Sequence, residues 1–277
     1  MSTPFAVGHR GPAAHWWAVL VGTARAVIKR YSAYLVDVIR WPLSTLLFFL
    51  TLWVTYDVSG LSEVAGANVA GFLLIGMLGM EAWNSTVWSS GYAFEHERHE
   101  GTVSALFLSP ASRVAVIMGY GVGSFIWSLP SLAMVGLLSL VTGASFNVTD
   151  PFAVVAAMLA MYAGSLCTGF ALAGLFVLSR RGNVLANFLQ LPIWILAGFV
   201  VPRSELPDWL QPLSNAIPAS HAIDALRGST LTGESLTDVS TTLLASLAVS
   251  AGFVIVGLIS LRRVEYAAKR SGTLDFY

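Results

Sequence analysis

The chain has 277 residues, 56% of them apolar and 11% charged, with 15 basic and 15 acidic side chains and no formal net charge. Soluble domains average about 25% charged residues, so this chain has too little charge to cover a water-exposed surface, and lipid is the natural solvent for its apolar excess. Zero net charge gives no support to a nucleic-acid partner, and a single cysteine, Cys167, excludes a disulfide framework and a cysteine-based zinc site.

The N-terminal region does not read as a cleavable signal. Charges recur between Arg10 and Arg40, and no short apolar core ends at a cleavage site. Residues 13–36 instead carry a broad apolar and aromatic surface (Trp16, Trp17, Leu20, Val27, Tyr31, Tyr34), with Arg25 and Lys29 one turn apart. That pattern predicts an amphipathic helix lying at headgroup level. Pro42 then marks the break before the first span, because proline disfavours a helical residue ahead of it.

A helix crossing the hydrocarbon core needs about 20 mainly apolar residues. Stretches nearly free of charge predict six spans, over 41–56, 69–94, 114–149, 151–179, 182–202 and 239–261. The first is short unless Arg40 snorkels to the headgroups, and the third ends its helix early near Gly143-Ala144-Ser145. The apolar runs are continuous and far longer than the alternating strands of about 10 residues that build a membrane barrel. An even number of spans puts both termini on one side. With the termini in the cytoplasm, that side holds all the basic residues except Arg203 and Arg227, while the outer loops carry mainly acids. The expectation is an all-α, multi-pass protein of the cell membrane with both termini cytoplasmic.

Two loops depart from plain connectors. Residues 95–113 form the most charged segment, Glu95-His96-Glu97-Arg98-His99-Glu100 followed by Gly101-Thr102. It reads as a solvated loop or as a short helix whose polar face meets a soluble partner. Residues 201–232 hold Pro202, Pro207, Pro212 and Pro218 with Leu206, Trp209, Leu210, Leu213 and Ile217 between them. The segment is too apolar for a free loop and too rich in proline for one helix, so two short helical pieces dipping back toward the membrane are expected. Backbone of that kind must be packed in protein or line a wet cavity. No internal repeat relates the two halves.

Glu81 is the ionisable residue well inside a span. A carboxylate at mid-membrane costs about 2.5–3.5 kcal/mol or more and normally faces the bundle interior or a water-filled cavity. Two readings stay open: a place on the substrate path, with Asn84, Ser85 and Thr86 extending the polar strip, or a protonated side chain bonded to a neighbouring helix. His96, His99 and Glu100 do not make an H-E-x-x-H site, because the second histidine comes one residue early. Ser220, His221 and Asp224 lack a G-x-S-x-G elbow, so no catalytic or metal site is expected. No G-x-x-x-x-G-K-[ST] phosphate loop occurs, and Lys29 and Lys269 sit in no glycine-rich turn. ATP-driven work would require a nucleotide site on another polypeptide.

Two stretches resemble the ABC-2 type transporter permeases. The first is Glu97-Arg98-His99-Glu100-Gly101-Thr102 with Leu106 to Ser112 and Arg113. The second is Leu191-Pro192 through Gly198, then Pro202, Leu206-Pro207-Asp208-Trp209-Leu210, Pro218 and Ala225-Leu226-Arg227. With span count and loop placement the resemblance covers nearly the whole of residues 1–277 as one transmembrane domain. It implies six transmembrane helices, a connecting helix at 13–36, a coupling-helix loop at 95–113 and a re-entrant outer hairpin at 201–232. It further implies that Glu95, Glu97, Arg98, Glu100, Gly101 and Thr102, with Arg180 and Arg181 as a second contact, seat in a partner ATPase. By the same resemblance two permeases work with two ATPases, which bind ATP and magnesium, and an amphiphilic drug, lipid or glycan passes outward by alternating access. Phe72, Glu81, Asn84, Asn187, Gln190 and Trp194 are the expected path, and Pro202, Trp209, His221 and Arg227 the outer gate. The second permease is expected to be a copy of this chain, with a heterodimer as the alternative. A proton-coupled secondary transporter using Glu81 is the competing class.

Overall fold

The computed structural model of the chain describes residues 11–61, 63–64, 66–178 and 182–271. Among them, helix dominates, and the one sheet is a two-stranded antiparallel hairpin, β1 (Glu63–Val64) with β2 (Ala67–Asn68). Four helices are long and apolar enough to cross a membrane: Val38–Val58, Arg113–Val141, Pro151–Gly174 and Leu236–Val264. The two other expected spans are helical but take shorter pieces.

Helix α1 (Pro12–Ser32) forms where an amphipathic helix is expected and packs lengthwise on the first half of α7 (Arg113–Val141). A Cβ on Gly119 would sit 2.8 Å from the Leu20 carbonyl oxygen, and one on Gly123 the same distance from that of Ala24. Further along, Tyr31 meets Trp127 at 5.8 Å between ring centroids. The Gly119-x-x-x-Gly123 spacing lets two backbones approach, as small residues do in lipid.

The expected break at Pro42 falls elsewhere. Helix α2 runs Leu35–Val58 with Pro42 inside it, and the chain turns at Tyr34, whose backbone is extended (φ −113°, ψ 102°). A proline within a membrane helix is tolerated where neighbouring groups take up the freed backbone.

The expected second span begins as α3 (Val69–Trp83), capped by the Asn68 side chain accepting from the amides of Ala70 and Gly71. It passes through a π-helical segment (Asn84–Trp88) and ends as α4 (Ser89–Gly91). Phe72, Leu73, Leu74, Met77, Met80 and Trp83 are all buried, so this span is the axis of the bundle. Helix α2, by contrast, leaves Leu43, Leu47, Trp53 and Val54 exposed. At its far end the second span turns at Tyr92 into α5 (Ala93–His99), followed by α6 (Val103–Leu108).

Helix α7 ends at Val141, ahead of Gly143 at φ +65°, as the glycine there predicts. Helix α8 (Pro151–Leu178) runs beside α12 (Leu236–Ser271), and Gly174 lies against Ser260 while Gly257 lies against Phe170. Helix α9 (Gly182–Leu196) has 15 residues where a longer span is expected. At 1.5 Å per residue that is about 22 Å, short of a full crossing. It contains Pro192 and stops at a turn through Gly198 at φ +83°.

Beyond that turn come a 3-10 turn (Arg203–Glu205), α10 (Gln211–Asn215), α11 (Pro218–Arg227) and a second π segment (Gly228–Thr232). These are the short helical pieces the prolines predict. Helix α11 buries Ala219, Ala222, Ile223 and Leu226 against α3, α8 and α12.

Candidate functional site

At one end of the bundle, α5 is latched from below. Its C-terminus is closed by Gly101 at φ +72°, with the Thr102 amide donating to the Glu97 carbonyl (2.8 Å) and the Gly101 amide to that of Arg98 (3.1 Å). This is a Schellman closure, and the left-handed residue in it favours glycine. The Glu97 carboxylate accepts from the Tyr120 hydroxyl of α7 (2.7 Å) and from the Thr102 hydroxyl. Arg30 of α1 pairs with Glu100 at 2.8 Å and donates to Tyr120 at 3.3 Å. His96 stacks on Tyr120 with rings 5° from parallel. Burial, reinforced by the Arg30 charge, pushes the His96 imidazole below its ordinary pKa, so the stacked ring is neutral at physiological pH. Arg98 and His99, at the end of α5, are exposed.

Beside this latch lies a cavity of about 280 Å³. The π segment and α4 supply Asn84, Ser85, Trp88 and Ser89. Tyr92 and His96 form its α5 side, and Tyr31, Trp41, Ser124, Trp127, Ser128 and Gln190 close it from α1, α2, α7 and α9. Gln190 donates to the Asn84 side-chain oxygen at 3.3 Å. The lining is aromatic and neutral polar.

A second cavity, of about 320 Å³, lies at the opposite end of the second span, lined by Phe72, Pro202, Arg203, Asp224, Arg227 and Glu234 among others. Arg227 donates to the carbonyls of Gly198 (2.5 Å) and Phe199 (3.1 Å) and lies over the Phe72 ring, 3.8 Å from its centroid. Arg203 ties α10 and α11 together: it pairs with Asp224, donates to the Ser214 hydroxyl (2.7 Å) and the Ser220 carbonyl (3.3 Å), and reaches Asn215. Tyr56 ties the first span to this end by donating to the Val200 carbonyl at 2.9 Å.

The expected path residues divide between the two ends. Asn84 and Gln190 meet in the first cavity, and Phe72 joins Pro202 and Arg227 in the second. Glu81 lines neither; it is 6% exposed, accepts from the Thr45 hydroxyl at 2.5 Å, and its other oxygen is buried without a hydrogen-bond partner among the described residues. Trp194 packs edge-on against Phe48, and Asn187 is exposed on α9. Of the expected gate, Trp209 is 72% exposed and His221 donates to the Asn215 carbonyl at 2.9 Å, fastening α11 to the end of α10. Ser220 is buried, its hydroxyl bonded to the carbonyls of Ser214 and Ile217. Glu95, Glu97, Arg98, Glu100, Gly101 and Thr102 cluster on and after α5, while Arg180 and Arg181 lie outside the described residues. Sequence reasoning missed Arg30, Tyr120 and Arg203, which carry the latches at the two ends.

Among curated proteins, the chain is 25% identical over 217 residues to the daunorubicin resistance ABC transporter permease protein DrrB1 of Streptomyces coeruleorubidus, covering 77% of this chain and 72% of the relative. It is 25% identical over 190 residues to nodulation protein J of Neorhizobium galegae, covering 65% and 68%. With the inner membrane transport permease YhhJ of Escherichia coli (strain K12) it shares 21% over 176 residues, 63% of this chain and 47% of that longer protein. A family model described as ABC-2 type transporter matches residues 14–231. Helices fit to cross a membrane, a latched charged helix at the end of the second span and this match agree: the chain is a multi-pass membrane protein and belongs to the ABC-2 type transporter family.

Proposed function

We propose that the chain is the permease subunit of an exporter driven by ATP hydrolysis on a separate polypeptide. In this reading it crosses the cell membrane six times, the second and fifth crossings being the segmented 69–91 and the short α9, with both termini cytoplasmic. Residues 201–232 form a re-entrant hairpin on the outside. Two permeases work with two ATPases, which hold ATP and magnesium, and an amphiphile such as a drug, lipid or glycan moves outward. A relative named for daunorubicin resistance is in keeping with that cargo.

The observation that carries the reading is the α5 latch. A short charged helix sits at the end of the most buried span, its Glu97 bonded to Tyr120 and its C-cap Glu100 to Arg30, while Arg98 and His99 are exposed. A partner pressing on α5 would act on α1, α7 and the second span together. An ATPase can bias such an element only through different affinity for its two states, which nucleotide binding supplies.

The test is co-purification of the chain with its ATPase, then transport in vesicles. Export that needs ATP and is lost on removing the ATPase is the expected result. Transport driven by a pH gradient without any ATPase would overturn it in favour of a proton-coupled carrier using Glu81, the reading that Glu81's unpaired buried oxygen favours.

A further inference from the structure

The cavity at the end of the second span opposite α5 is lined by two arginines, Arg203 and Arg227. We propose that it binds a phosphate-type oxyanion, free or carried on a lipid headgroup. The site stands independently of the exporter reading, which only sets the side of the membrane it faces.

The two arginines converge on one glycine. A Cβ on Gly198, at φ +83°, would lie 2.8 Å from Arg203 Cγ and 3.8 Å from Arg227 Nη1. Asp224 is the carboxylate whose charge reaches Arg227, and it is already paired with Arg203. Arg227 itself makes no ion pair among the described residues. Two guanidiniums, both charged at any physiological pH, thus share one carboxylate, and the inner wall keeps a surplus positive charge. A partly buried cation without its own counter-charge is costly to keep, and a bound anion supplies the missing charge.

The donors favour an oxyanion. Arg203 is spent: its nitrogens serve Asp224, Ser214, Ser220 and Asn215. Arg227 is not. Its Nη1 and Nη2 each give one proton to a carbonyl, of Gly198 and Phe199, and each keeps a second. Its flat face rests on Phe72, which lines the same cavity and fixes the plane of the guanidinium. A planar guanidinium held in this way suits the forked geometry of phosphate. Ser204, also on the lining, adds a hydroxyl that makes no hydrogen bond among the described residues. Ser204, Thr232 and Glu234 are exposed, so the cavity opens to water at this end.

Glu234 is the unpaired lining carboxylate that opposes an anion. It is exposed, rests against Gly228 and accepts from the Thr232 hydroxyl at 3.3 Å. Water and salt screen its charge, which does not reach Arg227. An occupant touching Arg227 and Ser204 joins α11 to the 3-10 turn, which Arg203 already fastens to α10 and α11. It is a clamp on the hairpin and not cargo.

The experiment uses the purified full chain in a phosphate-free maltoside detergent, with no ATPase or nucleotide. The probe is radiolabelled inorganic phosphate, followed by equilibrium dialysis at constant ionic strength. Saturable uptake at one site per chain is expected. Glu234→Gln removes the repelling charge at an exposed position and should tighten binding about two- to fivefold, the scale of one exposed charge. Arg227→Gln should abolish binding. Asp208→Asn, exposed on the hairpin but off the lining, should leave it unchanged. Thermal unfolding establishes that each variant is folded, and if Arg227→Gln does not fold, Glu234→Gln decides alone. Soluble dihexanoyl phosphatidylglycerol distinguishes the source. Displacement of the label at lower concentration than unlabelled phosphate requires assigns the site to a lipid headgroup, and weaker or no displacement assigns it to the free ion. No saturable uptake of phosphate, undiminished binding in Arg227→Gln, or unchanged or weaker binding in Glu234→Gln would overturn the site. ATP-driven export without phosphate binding removes the site alone, and phosphate binding without ATP-driven export removes the exporter alone.

Discussion

Glu81 and Thr45 form the polar contact of highest consequence inside the bundle. The hydroxyl of Thr45 on α2 donates to one Glu81 oxygen, and the other oxygen is buried without a partner among the described residues. Removing one partner from a buried pair leaves the survivor unsatisfied, at a cost of about 1–3 kcal/mol. Thr45→Val is nearly isosteric and should therefore lower stability by about that much. Glu81→Gln keeps an acceptor for Thr45 and should cost less. Thermal unfolding in detergent measures both. If Glu81→Gln unfolds like the parent yet abolishes transport, the carboxylate acts in transport and its contact with Thr45 is secondary. That an acid sits mid-span is legible in the sequence. Its pairing is not, because Thr45 is 36 residues away and lies in a helix where Ser44, Thr51 and Thr55 simply return their hydroxyls to their own backbone.

Helix α5 is an element too short to stand alone. Isolated helices below about 12 residues are marginal in water, and α5 has 7. Its order comes from the Schellman closure at Gly101 and from Tyr120, which donates to Glu97 and accepts from Arg30. Tyr120→Phe removes both bonds and keeps the ring under His96. Amide exchange over 93–99 should accelerate about tenfold for each 1.4 kcal/mol lost, while α11, at the opposite end of the second span, keeps its protection. Unchanged exchange at α5 would mean that backbone closure alone holds it. The charge run and Gly-Thr pair mark this helix in the sequence because they are contiguous. Arg30 and Tyr120 stand 70 and 23 residues from their carboxylates, and nothing in an aromatic or a basic residue at those positions announces a partner so far away. The same limit hid Arg203 at the hairpin, where proline content announced short helices but not the residue that clamps them.

At the scale of the whole molecule, the bundle is assembled by close backbone contact. Lipid offers no hydrophobic drive for one apolar helix to leave it for another, so membrane helices associate where small residues let main chains meet. Four spans were legible by length and apolarity. The two further expected spans, 69–94 and 182–202, were legible as apolar but not as regular helices, since a π turn and a glycine turn serve the packing around them. Gly76 lies where these features converge. A Cβ there would run into the Phe199 carbonyl, which accepts from Arg227, so the glycine lets the turn after α9 rest on the second span. Gly136 sits within α7 with nothing inside 4 Å of a Cβ. Gly76→Ala should destabilise by about 1–3 kcal/mol as an overpacked contact, and it should loosen the Arg227 bonds that close the hairpin end. Gly136→Ala should be neutral or stabilising by up to about 1 kcal/mol, because alanine is the better helix former. The pair, compared by thermal unfolding in the same detergent, separates packing from propensity. Equal shifts in one direction would mean that helix formation, not backbone contact, governs stability, whereas opposite signs place the hold of this bundle in its glycine-to-backbone seams.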